Sequence, residues 1–274
     1  MKVIRVGQRC LLAALALSAV ACSSALASSV YEVRGLPEIG RCVKVPEGTG
    51  VYRGSICVTK ETKGKGKYEW TQASVTEKLT FTGGGLETRL LTAGHPGIKC
   101  IASNLTGEWT GGKTANVTIE FQGCVNALGQ QCQSGQNKSE IKTLPLEGEL
   151  GFINDQVKEG KLIIVVGLDL KPQPPLTDLA IYECGSITET ARIEGSVIGT
   201  IKPIEKMTTE SNLVFNTKSA GEVQYWQQFE GGLKDTLSTT FTTGTESTTA
   251  PTTLKIFSET GKNSVPLEIK AKEN

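Results

Sequence analysis

Apolar and polar residues alternate at a period of two along nearly the whole chain beyond residue 28, with no sustained 3.6-residue pattern to compete. In NVTIEFQ, Val117, Ile119 and Phe121 fall on one face and Asn116, Thr118, Glu120 and Gln122 on the other. KLTFT repeats the pattern with Leu79 and Phe81. In KLIIVVGLDL both faces are mostly apolar, with Leu162, Ile164, Val166, Leu168 and Leu170 on one, as in a central strand covered on both sides. Further strands are predicted at GIKCIAS, EGELGFI, LAIYECG, ARIEGSVIGTI, SNLVFNT, EVQYWQQF and VPLEIKA. Turn residues punctuate them at Gly83 to Gly85, Pro96-Gly97, Pro172 to Pro175 and Gly231-Gly232. Short strands between frequent turns predict an all-β fold, a mostly antiparallel β-sandwich or barrel.

The N-terminal segment departs from this pattern. Lys2, Arg5 and Arg9 form a basic head, an uncharged run from Cys10 to Ala21 follows, and Ala25-Leu26-Ala27 supplies small residues for a signal peptidase. Residues 1–27 therefore read as a secretory signal peptide, with Ser28 as the mature N-terminus. The apolar run is too short to span a bilayer, and no later segment reaches that length. A second reading is open at Ala19-Val20-Ala21-Cys22, which resembles a lipobox whose Cys22 would anchor a lipoprotein to the membrane.

Export changes the meaning of the cysteines. Cys10 and Cys22 leave with the signal, and Cys42, Cys57, Cys100, Cys124, Cys132 and Cys184 remain. An even number outside the reducing cytoplasm predicts disulfides. Pairing by proximity joins Cys42 to Cys57 across a Gly-rich turn, Cys124 to Cys132 across a polar loop, and Cys100 to Cys184 as a long tie. The expected organisation is a disulfide-closed hairpin region over 28–67 followed by a main β domain over 68–274, or one continuous domain over 28–274.

Charge and composition exclude several functions. Of the 29 basic residues three leave with the signal, so 26 face 28 acidic ones, a net charge of −2. That balance, with Lys dominant over Arg, argues against nucleic acid as a partner. The close cysteine pairs of a zinc site are missing, His95 is the only histidine, and Asp155, Asp169, Asp178 and Asp235 are too scattered for a calcium loop. No metal and no cofactor is expected. Lys60, Lys63, Lys65 and Lys67 fall on a Gly-spaced segment that reads as a solvated linker. The Thr-rich stretch from Thr236 to Thr253 reads as an edge strand or an extended surface loop. Glu147-Gly148 and Glu194-Gly195 form a small echo that reads as two strands whose glycines relieve a close backbone approach.

No catalytic residue is assigned. There is no GxSxG turn, and His95 lies in the turn sequence AGHPG. Glu147 and Glu149 share one strand face and keep a carboxylate pair of glycosidase type open. Of Trp70, Trp109 and Trp226, the last is the best ligand contact. In EVQYWQQF it shares a face with Glu222, Gln224 and Gln228, opposite Val223, Tyr225 and Phe229.

Two resemblances extend this reading. Asp178, Ala180, Tyr182 and Cys184 in DLAIYEC match the D-x-A-x-Y-x-C strand of immunoglobulin domains, where the tyrosine makes a corner hydrogen bond. More broadly, LPEIGRCVKVPEGTGVYRGSICVTKE and KYEW, followed in order by LEGELGFI, VGLDLKP, YECG, GSVIG and FEGGLKD, resemble uncharacterised secreted proteins of high-GC Gram-positive soil bacteria. That resemblance implies export and a folding unit spanning most of the mature chain, and no activity. The expected function is a secreted, non-enzymatic structural, adhesion or ligand-binding protein, with an extracellular glycan or a cell-surface protein as partner. The alternatives are a carbohydrate-binding module-like protein and an extracellular polysaccharide hydrolase.

Overall fold

The computed structural model describes residues 35–272 apart from 63, 155–156, 159–160, 186–188 and 219–222. The expected signal segment, with Cys10 and Cys22, lies outside the described residues, as do Lys63 and Glu222. The chain is all-β, with 63% of it in strands and no helix among the described residues.

Residues of alternating character form β1 (Glu38–Lys44), β2 (Tyr68–Gln72), β3 (Leu79–Gly85), β4 (Thr88–Thr92), β5 (Ile98–Cys100), β6 (Ala102–Trp109) and β7 (Thr114–Gln122). Three short strands follow, β8 (Val125–Asn126), β9 (Cys132–Gln133) and β10 (Glu140–Lys142), then β11 (Leu146–Asn154), β12 (Val157–Lys158) and β13 (Lys161–Leu162). The next are β14 (Val165–Pro172), β15 (Asp178–Cys184), β16 (Glu189–Gly195) and β17 (Val197–Lys202). The chain ends with β18 (Thr208–Phe215), β19 (Thr217–Lys218), β20 (Val223–Gln224), β21 (Leu237–Thr243) and the 25-residue β22 (Glu246–Lys270).

Eight antiparallel strands close a barrel in the order β7, β11, β14, β17, β18, β22, β3, β6 and back to β7. The alternation predicted for NVTIEFQ and KLTFT is realised: Val117, Ile119, Phe121, Leu79 and Phe81 are buried. Exposed Thr80, Thr82, Asn104, Thr106 and Glu108 turn this wall toward water. On β14 every residue from Val166 to Leu170 is buried, as the two-sided run requires. Gly167 there is pressed by Ile153 and Ile198. The interior is filled by side chains, with Phe81 packed on Trp109 at 5.2 Å. What remains is a void of about 40 Å³ among Phe81, Trp109, Leu168, Leu213 and Leu267. Such a void has room for a water or two and none for a ligand.

A second circuit of eight strands lies beside the barrel and shares β22 with it. It runs β22, β4, β5, β8, β9, β15, β16, β21 and back to β22. Between β8 and β9 the link is the single bridge Val125↔Gln131. The N-terminal half of β22 pairs with β21 and β4, and its C-terminal half with β18, β3 and β1. The predicted strand ARIEGSVIGTI divides between the circuits, β16 in one and β17 in the other. The break is at Gly195, whose φ of 100° suits glycine and whose Cβ would lie 2.1 Å from the Thr236 carbonyl oxygen. At Gly148 the close neighbours are instead the Leu168 and Leu170 side chains.

Two expectations are corrected here. The Thr-rich stretch is an edge only in part: β21 pairs with β16 on one side and β22 on the other, whereas Glu246 to Ala250 of β22 pair with β21 alone. Its threonines hydrogen-bond across strands, Thr92 with Thr252 at 2.9 Å and Thr239 with Thr252 at 2.6 Å inside. Thr240 with Thr249 at 2.9 Å continues the ladder outside. Satisfied in pairs, the hydroxyls are compatible with burial, and the β-branched carbon suits the pleat.

The second correction concerns the disulfides. Cys42–Cys57 forms as expected, but the others are Cys100–Cys124 and Cys132–Cys184, not Cys124–Cys132 and Cys100–Cys184. The polar loop between Cys124 and Cys132 is a hairpin inserted between β5 and β15. The register Lys99↔Val125 sets Cys124 opposite Cys100, and Cys132 is directly opposite Cys184. Each cysteine bonds the strand flanking its hairpin rather than its hairpin mate, with Cα atoms 4.0 Å apart in both links. The strands GIKCIAS and LAIYECG are thus separated by two others. Cys184 does not reach Cys100, and a closed barrel takes the place of the immunoglobulin arrangement.

Both relocated disulfides brace the second circuit where its strands are only two or three residues long. Non-reducing peptide maps are expected to join Cys100 to Cys124 and Cys132 to Cys184. Loop entropy ascribes about 4 kcal/mol to the 52-residue Cys132–Cys184 link and about 3 kcal/mol to the 15-residue Cys42–Cys57 link. The pair Cys132→Ala/Cys184→Ala is therefore expected to lower the denaturation midpoint more than Cys42→Ala/Cys57→Ala. Equal loss from the two pairs would show that the long link does not hold the circuit.

Candidate functional site

The second circuit opens at one end into a cleft of about 130 Å³. One wall comes from the β4–β5 turn, where Gly94 at φ 76° lets the His95 amide donate back to the Thr92 carbonyl. The His95 ring then lies flat on Phe241 of β21, centroids 3.7 Å apart and 8° from parallel. The opposite wall is the β8–β9 hairpin, with Asn126, Leu128 and Gln130. Asn126 locks that hairpin: its Nδ2 donates to Gln130 Oε1 at 2.8 Å, and its Oδ1 accepts from the Leu128 and Gln130 amides at 3.0 Å each. Tyr182, Glu183 and Cys184 of β15 and Glu189 and Ala191 of β16 complete the lining.

Tyr182 distinguishes this cleft. It is 4% exposed, lines the cleft, and its hydroxyl makes no hydrogen bond to any described residue. Burial, reinforced by the Glu189 carboxylate, raises the phenol above its ordinary value, so it stays protonated. The corner bond implied by DLAIYEC is not made by this tyrosine. Asp178 of the same motif instead forms a two-pronged pair with Arg192, Nε to Oδ1 at 3.1 Å and Nη2 to Oδ2 at 2.5 Å.

Trp226 lies elsewhere. The expected strand EVQYWQQF contracts to β20, and its faces are the reverse of those anticipated. Gln224 is buried while Val223 and Tyr225 are exposed. The Gln224 amide donates to the Asn216 and Leu254 carbonyls at 2.9 and 3.0 Å and accepts from the Leu254 amide at 3.0 Å. A side chain that stands in for a backbone partner can be buried despite its polarity. Trp226 is half-buried with Tyr225 at its edge, centroids 5.0 Å apart.

Glu147 and Glu149 sit on β11, on the barrel wall. Glu149 is ion-paired with Lys171 at 3.3 Å and stands opposite Asp169 of β14. Asp169 is buried, and its Oδ1 has no hydrogen-bond partner. Burial pushes its carboxyl up to about 7, with Asp235 adding to the rise, Lys171 opposing it and Glu149 adding less. The segment 227–235 packs on the same wall. Phe229 lies over Gly151, Glu230 accepts from the Phe152 amide, and Asp235 accepts from Ser196 at 2.8 Å. At 5% exposure the Asp169 carboxyl cannot reach a polymer substrate, so this carboxylate group is not arranged for glycoside cleavage.

What the Asp169 carboxyl does affect is stability. Its folded-state pKa lies above the unfolded value, so the folded protein holds the proton longer and its contribution is lost as pH rises from about 4 through about 7. The loss is at most about 4 kcal/mol. Asp169→Asn is expected to raise the melting temperature at pH 8, with a much smaller gain at pH 4. Parallel melting curves for the two proteins across that range would show that Asp169 does not titrate there.

Residues of the cleft were only partly visible in the sequence. Tyr182 carried a signal, the DLAIYEC motif, but for another role, and His95 stood out only as the single histidine. Nothing marked Asn126, Gln130 or Glu189. Among the described residues no group of three or more His, Cys, Asp and Glu side chains is placed to hold a metal ion. No family model, no curated protein and no solved structure matches this chain.

Proposed function

We propose that the protein is exported and acts outside the cell by binding, without catalysis, a polar ligand about the size of one sugar ring in the cleft beside Tyr182. The observation that carries this reading is the buried Tyr182 side chain, whose hydroxyl makes no hydrogen bond to a described residue and which lines a cleft that a ligand can enter. Three disulfides suit an oxidising compartment, as does the signal-like N-terminal sequence. Two of those disulfides brace the strands around the cleft, so its walls are pre-organised and binding orders little. Flat aromatic surface from His95 and Phe241, beside amide and carboxylate side chains, suits a ring that has apolar faces and hydroxyl edges. The cleft joins no nucleophile to a base, since His95 stacks on Phe241 and the Cys184 sulfur is bonded to Cys132.

Mature protein beginning at Ser28, presented to a glycan array, is expected to retain saccharides, and mass spectrometry of the bound oligosaccharides should find them uncleaved. Tyr182→Phe should weaken retention about 5-fold to 10-fold, the worth of one neutral hydrogen bond. Shortened products would make the protein a hydrolase. Retention unchanged in Tyr182→Phe would place the site elsewhere, with the Tyr225–Trp226 pair the next surface to substitute.

A further inference from the structure

On the outer face of the barrel, β11, β14 and β17 place Glu149, Asp169 and Ile198 side by side, with Gly151 and Gly167 in the next row. Leu168 lines the interior void, so its neighbour Asp169 points outward. Asp169 and Ile198 are nevertheless buried. Their cover is the segment 227–235. The Asp235 amide donates to the Gln227 carbonyl at 2.9 Å, and the Gln228↔Lys234 bridge closes the segment into a loop. One limb is fixed over β11. There the Phe229 ring meets Gly151, the Glu230 amide donates to the Phe152 carbonyl at 2.9 Å, and Glu230 Oε1 accepts from the Phe152 amide at 3.3 Å. Glu230 holds this position at φ 47°, a conformation L residues seldom adopt, while Leu233 and Lys234 project into solvent. The other limb is fixed at the start of β17, where the Ser196 hydroxyl donates to Asp235 at 2.8 Å. The loop therefore crosses from β11 to β17, and Asp169 lies on the strand between.

The charges facing Asp169 are mostly of its own sign. β11 supplies Glu149 and the loop supplies Asp235. The Lys171 ammonium of β14 opposes them, but it is bonded to Glu149 at 3.3 Å and shared with Glu147. β17 contributes Ile198 and Thr200, neither of them charged. Farther out on the loop, Glu230 lies 3.9 Å from Lys113, and Lys234 is exposed. Asp169 Oδ1 has no hydrogen-bond partner that would hold a negative charge in place. From this crossing we propose that residues 227–235 are a strap released by ionisation of Asp169, closed over the neutral carboxyl in acid and lifted when the carboxylate meets Asp235 and Glu149. Lifting gives the charge water and separates it from Asp235. It gives up only the Phe229, Glu230 and Ser196 contacts, while β14 keeps its backbone pairing with β11 and β17. The direction follows from burial, with Asp235 second, which together push the Asp169 carboxyl up to about 7. Opening then releases a proton, so the closed form is favoured at low pH and loses that advantage as pH rises toward about 7. The event is local, distinct from global melting, and independent of the cleft.

Hydrogen exchange of the intact, disulfide-bonded protein, followed by mass spectrometry from about pH 5 to about pH 8 and divided by the intrinsic rate at each pH, reads the strap directly. With one proton released on opening, the opening constant of 227–235 should rise about tenfold per pH unit up to about pH 7 and level off above it, while β7 keeps its protection. Asp169→Asn should hold the strap closed, its protection independent of pH. Asp235→Asn keeps an oxygen to accept from Ser196 and removes the facing charge, so the levelling-off should move to lower pH. This second variant decides the matter even if Asp169→Asn does not fold. Strap protection that is flat with pH in the wild-type protein overturns the proposal, as does a loss shared equally by β7. So does a pH dependence that survives Asp169→Asn, or a levelling-off that stays in place in Asp235→Asn.

Discussion

Backbone hydrogen bonding along β22 is the constraint on which both circuits depend. A strand of 25 residues presents far more unpaired N–H and C=O groups than one neighbour can satisfy, and each group left dry and unpaired would destabilise the fold. The protein meets this by giving different lengths of β22 to different partners: β21 and β4 first, then β18 and β3, and finally β1. Because one continuous strand serves both circuits, covalent geometry helps to fix their relative placement, and the bridge Thr143↔Ala180 beside the β10–β7 pairing ties them again. Closure of the sheet onto itself removes most open edges, which in a protein this rich in strands would otherwise invite pairing between molecules.

The two circuits differ in how they are closed. In the barrel, strands of six residues or more pair over most of their length, and hydrogen bonds with a packed interior suffice. The second circuit runs through β5, β8 and β9, each two or three residues long, too short to hold a sheet by themselves. Here covalent bonds replace the missing ladder, with Cys100–Cys124 on one side of the inserted hairpin and Cys132–Cys184 on the other. A ring closed by disulfides can tolerate an end that is not filled with apolar side chains, and it is at this end that the cleft lies.

Buried polar groups follow one rule with two outcomes. Thr239, Thr252 and Gln224 are buried and satisfied by one another or by backbone, and they hold strands in register. Asp169 is buried with an unsatisfied oxygen, and Tyr182 is buried with its hydroxyl bonded to no described residue; each marks a place where something other than packing is decided. For Asp169 that is a protonation state coupled to stability. For Tyr182 it is an accessible hydrogen bond at the floor of a cleft.

The all-β class, the faces of NVTIEFQ and KLTFT, the doubly covered strand at VGLDL and the Cys42–Cys57 pair all followed from the sequence alone. Each depends on period-two alternation or on a turn that folds neighbouring residues back on themselves, and both are local properties. Tertiary structure alone decided the rest. The cysteines Cys100, Cys124, Cys132 and Cys184 pair according to which strands a hairpin is inserted between, and no spacing in the sequence encodes that insertion. Alternation in EVQYWQQF pointed Trp226 outward, yet the Gln224 amide found backbone partners at Asn216 and Leu254, which reversed the faces. The cleft gathers His95, Gln130, the Tyr182 and Glu189 hairpin, and Phe241 from four separate parts of the chain, and its chemistry exists only where those parts meet. Alternation tells which side of a strand is buried; which strands become neighbours is settled by backbone pairing between distant segments, and that is where the site is made.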